Sequence, residues 1–188
     1  MDRRQRKTRE AIFRAFTELL SQKPENRITV GEIIASADVG RATFYAHFPT
    51  KDFLLKELCE ELFCHIFDSA EGVPHQHIFH CDAPDSVFLH LLYHLKNNDN
   101  QILTLLTSQN SELFAKYFKS EFIHLVERWV LSRKREKEWR VPKEFLVHHI
   151  TSSFVAAVQW WSEQKMKQSP EEIYAYFLNV LGIEEGSR

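Results

Sequence analysis

The stretch TVGEIIASADVGRATFYAHFPTKDFLL, residues 29–55, decides how the rest of the chain is read. Thr29 stands three residues before Glu32, the spacing of a capping box, and Ile28 and Ile33 occupy the positions of a hydrophobic staple, so a helix is predicted to start at residue 29. It should be short, because Asp38 tolerates the left-handed conformation and Gly40 lets the chain turn. A new helix is expected from Arg41. Within it Phe44 and Phe48 lie one turn apart and face Ile33 and Ile34, which leaves Ala42, Thr43, Tyr45, Ala46 and His47 on the outer faces. Pro49 ends this helix, and Thr50 caps a further one with Asp52 in its first turn. Two short helices joined by a tight turn, the second with small and hydrogen-bonding side chains outward, match a helix-turn-helix whose second helix enters the major groove. Small residues let the backbone approach the bases, Tyr45 and His47 reach toward phosphates, and Lys51 sits near a helix N-terminus that favours anions. The same periodicity also suits a plain three-helix packing unit with Tyr45 and His47 half-buried, and periodicity does not separate the two.

Upstream, Ile12, Phe16, Leu19 and Leu20 recur at helical spacing and predict a helix over about residues 3–22, with cations on its other face. Arg4, Arg6 and Lys7, in the basic segment 3–9, are placed to follow a phosphate backbone. The charge distribution supports this. Residues 1–51 hold ten Lys/Arg against six acids, a balance of +4, whereas the remainder balances at −6 within a total of −2. A polyanion partner at the N-terminal end is implied, although a solvated charged face gives the same count.

Of the 188 residues, 44% are hydrophobic and 13% aromatic, enough for a packed core, and five Gly with six Pro leave few breaks, so an all-α fold of long helices is expected. No apolar run approaches the roughly 18 residues of a membrane span, and three cysteines, an odd number, suit a reducing compartment. A cytoplasmic location is the expectation. Beyond residue 51 helices are predicted at about 52–70, 84–97, 99–108, 111–136, 142–167 and 170–182, the last marked by Ser169, Pro170 and Glu172 as cap, first position and box. EGVPHQHIFHCDA is the longest irregular stretch, and SRKREKEWR, 132–140, an exposed cluster of mixed charge. A single helix-turn-helix reads few base pairs, so a homodimer is expected. The last two helices offer apolar faces for it, Phe154, Val155, Val158 and Trp161 on one and Tyr174, Phe177, Leu178 and Leu181 on the other, although such faces also close a monomer core. Phe88, Tyr93, Phe114, Phe118, Phe122 and Trp129 would suit the lining of an apolar ligand pocket or a plain core.

Other chemistry is poorly marked. His75, His77, His80 and Cys81 cluster in sequence, with His65, His90 and His94 not far away, but the order His-x-His-x-x-His-Cys lacks a second half at zinc-finger spacing, and neither metal nor cofactor is expected. Glu121 and His124 form one Glu-x-x-His pair where a di-iron bundle needs two. Phosphate-loop, dinucleotide, zincin and serine-hydrolase motifs are all missing, so an enzyme is not expected.

Residues 6–66 resemble the N-terminal domain of the tetracycline-repressor (TetR) family, with the quoted stretch, and above all TFYAHF, carrying the likeness. The resemblance implies that Thr29, Arg41, Ala42, Thr43, Tyr45, His47 and Lys51 fall at positions that touch DNA. Asp38 replaces the family's usual Gly, and Gly40 its usual Ser, which removes a side-chain cap from the recognition helix. More loosely, LLYHLKNNDNQILTLLTSQNSELF with AAVQWWSEQKMKQSPEEI is similar to regulators of dihydroxyacetone-kinase operons. The expected architecture is a DNA-binding domain over 1–50, helix-turn-helix at about 29–48, and a helical dimerisation and effector domain over 51–188, about nine helices in all. The implied function is a ligand-responsive repressor that binds palindromic double-stranded operator DNA as a homodimer, its effector a small molecule or protein. An activator or co-activator with a protein-binding C-terminal half is the near alternative, and a helical metal-binding or ligand-storage protein the distant one.

Overall fold

The computed structural model of the chain describes residues 3–71, 86–98, 101–107, 112–132 and 141–182. Helix α1 spans Arg3–Gln22 and buries Ile12, Phe13, Phe16 and Leu20 on one face. After a single 3-10 turn at Glu25–Arg27 come α2, Val30–Ala37, and α3, Arg41–His47. The capping box of α2 forms as its spacing predicts, with Thr29 Oγ1 accepting from the Glu32 N–H and the Glu32 carboxylate accepting from the Thr29 N–H. Ile28 and Ile33, the staple pair, are both buried. The reversal between α2 and α3 rests on Asp38, whose φ of 51° and ψ of 50° are left-handed. Gly40, expected to help the turn, has φ −72° and ψ 151°, extended backbone open to any residue, and it caps α3 without a side chain. Phe44 and Phe48 are completely buried, and the Phe48 ring meets Phe13 edge-on at 5.3 Å, which pins α3 to α1. Burial of two such rings supplies about 1.5–3 kcal/mol each.

Helix α4, Lys51–Glu71, starts where Thr50 Oγ1 accepts from the Phe53 N–H, and at 21 residues it runs about 30 Å. It packs against α5, Val87–Asn97, and α7, Glu112–Ser132. Helix α6, Ile102–Thr107, bridges α5 and α7; α8, Lys143–Glu163, lies on α7; and α9, Pro170–Val180, lies on α5 and α8. One core, built from all of these helices, joins Phe63, Phe88, Phe122, Leu125, Phe154, Trp161 and Phe177. No strand occurs among the described residues.

Several ends differ from expectation for local reasons. Helix α5 opens at Val87 because Ser86 is its cap. It stops at Asn98, which is left-handed and whose side chain accepts from the Thr104 N–H, so α6 starts only at Ile102. Helix α8 ends before Lys165 and Met166, both left-handed. That turn is held from inside: Lys96 Nζ donates to the carbonyls of Met166 and Gln168, and Trp161 Nε1 donates to Gln168 O at 3.1 Å. The irregular stretch 71–83 beyond Glu71 and the charged segment 133–140 lie outside the described residues.

Candidate nucleic-acid interface

Helix α3 has two buried side chains among the seven residues and the C-cap, Phe44 and Phe48, and everything else on it is turned outward or half outward. Arg41, Ala42, Thr43, Tyr45 and Ala46 are exposed, and His47 is half-buried beside Phe48. Tyr45 is 43% exposed, its ring standing edge-on against Phe44 at 5.4 Å, so the phenol is steered by the core while remaining open to contact. Small Ala42 and Ala46 flanking Thr43 allow close approach of the α3 backbone to a flat or grooved surface.

Thr29, also exposed, gives its hydroxyl to Glu32 Oε2 at 2.9 Å. The Glu32 carboxylate is held down from its ordinary 4.5 to about 2, first by the hydrogen bond from Lys23 and then by Thr29. The start of α2 is thus locked by charge as well as by its cap.

The basic segment separates into two groups. Arg4 and Lys7 are exposed, and Arg6 is half-exposed with a loose helical pair to Glu10 at 3.5 Å. Arg9 instead turns inward, binding Glu57 and lying 3.5 Å from Glu61 on α4, with its guanidinium over the Phe13 and Phe48 rings at 5.1 and 5.0 Å. Sequence reading had no signal for this clamp, because its partners lie 48 or more residues away. Lys51 is likewise engaged: its amine donates to the carbonyls of Glu25 at 2.9 Å and Ile28 at 3.2 Å and pairs with the Glu25 carboxylate at 2.6 Å. A phosphate contact from Lys51 therefore competes with three internal acceptors, and the residue's place in this structure is to tie α4 to the turn before α2.

The faces expected to dimerise point the other way. Phe154, Val158, Trp161, Tyr174, Phe177 and Leu178 are buried within the chain itself, and Val155 and Leu181 half-buried. Helical spacing identified an apolar stripe correctly, but that stripe closes the monomer core. The exposed stripe on α8 is Phe145, His149, Ser152, Ala156 and Trp160, and α9 exposes Tyr176 and Val180, the latter at 76%. Of the expected pocket residues, Phe88 meets Phe122, Trp129, Phe154 and Phe177 at centroid distances of 5.0–6.0 Å, and Phe118 meets Phe114, Phe122 and Phe63. These rings pack on one another. Tyr93 stands apart, giving its hydroxyl to Glu171 on α9. His75, His77, His80 and Cys81 lie outside the described residues.

Two family models cover most of the chain. Residues 11–58 match "Bacterial regulatory proteins, tetR family", and residues 82–182 match "Transcriptional regulator C-terminal region". A TetR transcriptional regulator from Streptococcus agalactiae 2603V is 34% identical, with 95% of this chain and 96% of that one aligned at a TM-score of 0.69. A TetR-family structure from Syntrophomonas wolfei shares the fold at 19% identity, with 93% of each chain covered and a TM-score of 0.70. The HTH-type transcriptional regulator YxbF of Bacillus subtilis is 22% identical over 98% of this chain, and YvdT of the same organism 30% identical over 35% of it. The chain spans 47% of the length of the first and 34% of the second. With the helix-turn-helix in place and both halves matched, the chain belongs to the tetR family of bacterial transcriptional regulators.

Proposed function

We propose that this protein is a ligand-responsive repressor that binds palindromic operator DNA as a homodimer, with α3 in the major groove. The observation that carries this reading is the division of α3: two phenylalanines lock it to α1 and α2, and Ala42, Thr43, Tyr45 and Ala46 stand free for contact. Thr43 and Tyr45 address base edges and phosphate, His47 and Arg41 flank them, and Arg4, Arg6 and Lys7 follow the backbone. Two copies are needed to place two recognition helices about 34–36 Å apart, and the outward stripe of α8 with Tyr176 and Val180 of α9 is the surface that joins them.

Helix α4 is the transmitting element. Its first turns are clamped to the DNA-binding helices through Arg9 with Glu57 and Lys51 with Glu25, and its far end pairs Glu71 with Arg128 on α7. An effector that favours one placement of α4 among α5 and α7 changes the spacing of the recognition helices, for a coupling of about 1–3 kcal/mol. Gel-shift titration against DNA flanking the protein's own gene tests the reading. A shift that survives excess scrambled duplex is expected, and equal affinity for both duplexes would contradict it.

A further inference from the structure

Three histidines converge in the C-terminal core. His65 lies on α4, and His90 and His94, four residues apart, lie on one face of α5; they are 6%, 1% and 1% exposed. Their ring centroids form a near-equilateral triangle of 4.9, 5.1 and 4.9 Å. One ring nitrogen from each lies within 4.8 Å of the others, and the Nε2 atoms of His90 and His94 are 3.1 Å apart. We propose that His65, His90 and His94 form a three-histidine site for one divalent transition-metal ion, bridging α4 and α5.

The geometry is close to what coordination requires. Zinc–imidazole bonds of about 2.0–2.1 Å at tetrahedral angles put ligand nitrogens about 3.3 Å apart, so the His90–His94 pair is near its bound separation and His65 closes by rotation of its side chain. In the metal-free pair one Nε2 carries the hydrogen that the other accepts. On binding, that proton moves to Nδ1 of the same ring, freeing its Nε2 lone pair with no net proton release. Imidazole nitrogens suit zinc, nickel, copper or iron rather than calcium or magnesium. Three neutral ligands leave the ion's double charge uncancelled, so the fourth position takes water, hydroxide or an anionic group.

Occupancy fastens α4 to α5, and any consequence for operator affinity rests on the repressor reading, whereas metal binding itself does not. The test uses untagged, chelator-stripped protein titrated with Zn²⁺ and, separately, with Co²⁺ followed by visible absorption. About one ion per chain is expected, with cobalt giving the intense visible bands of a four-coordinate nitrogen site. His90→Gln and His94→Gln should each weaken zinc binding by at least the roughly 10- to 100-fold that loss of an outer partner causes. His77→Ala combined with Cys81→Ala should leave it unchanged, which separates this site from the histidine-rich segment. Failure of the wild-type protein to bind either ion would overturn the proposal, as would stoichiometric binding lost only in the His77/Cys81 variant.

Discussion

The sharpest consequence of the packing concerns α8, where residues two apart are expected to respond in opposite ways to the same substitution. Val158 is 8% exposed and faces the core, whereas Trp160 is 43% exposed and belongs to the outward stripe. Val158→Glu places an unpaired carboxylate among Phe154, Trp161 and Phe177, a cost of several kcal/mol against a total stability of about 5–15 kcal/mol, so the chain should unfold or lose most of its thermal stability. Trp160→Glu should change monomer stability far less, by about 0.5 kcal/mol, because Trp160 lies outside the core cluster. If the outward stripe joins the proposed dimer, the same change removes an interface aromatic, worth about 2 kcal/mol or more, which raises the dimer dissociation constant by at least ~30-fold. Circular-dichroism melts and sedimentation velocity across a micromolar concentration series separate the two outcomes. A Trp160→Glu protein that combined with Val180→Glu still sediments as the wild type would refute the outward-face interface. One in which Val158→Glu stays folded and monomeric would restore the inner face that helical spacing suggested.

Three further outcomes follow from the N-terminal domain. Replacing Arg4, Arg6 and Lys7 with Ala should flatten the salt dependence of DNA binding by about 2–3 units of log–log slope and lower affinity for operator and scrambled duplex alike; loss confined to the operator would mean that these residues read sequence. Glu32, depressed from 4.5 to about 2, contributes stability that is complete above its unfolded value and disappears as pH falls through that window; Glu32→Gln should therefore show a shallower acid transition, and identical transitions in the two proteins would contradict the Lys23 and Thr29 contacts. Gly40→Ser should stabilise by a few tenths of a kcal/mol, since a new Cβ meets Thr43 Oγ1 at an ordinary 3.6 Å and the hydroxyl can cap α3; a fall in the denaturation midpoint would count against the cap.

What the sequence made legible is what is encoded within a few residues. Thr29 with Glu32, Ser169 with Pro170 and Glu172, and Asp38 each define a helix end by local hydrogen bonding and backbone preference, and each stands in the structure as read. Helical period likewise revealed the stripe Phe154, Val158 and Trp161, but a period says only that a face is apolar and not which surface covers it. Lys51 was read as a candidate for phosphate because cations near helix starts suit anions, and Arg9 fell within the basic segment 3–9, whereas their partners Glu25, Glu57 and Glu61 are brought in by tertiary packing. The histidine triangle was hidden for the same reason. His90 and His94 show the spacing of two ligands on one helix, but His65 joins them only once α4 lies against α5.

Operator binding by the Thr43→Ala, Tyr45→Ala double variant tests the central claim most directly, because both side chains are exposed on α3 and neither belongs to the core cluster. Helicity, thermal stability and dimerisation should match the wild type while specific affinity falls to that for scrambled duplex. Unchanged operator affinity in a folded, dimeric double variant would contradict α3 as the reading helix.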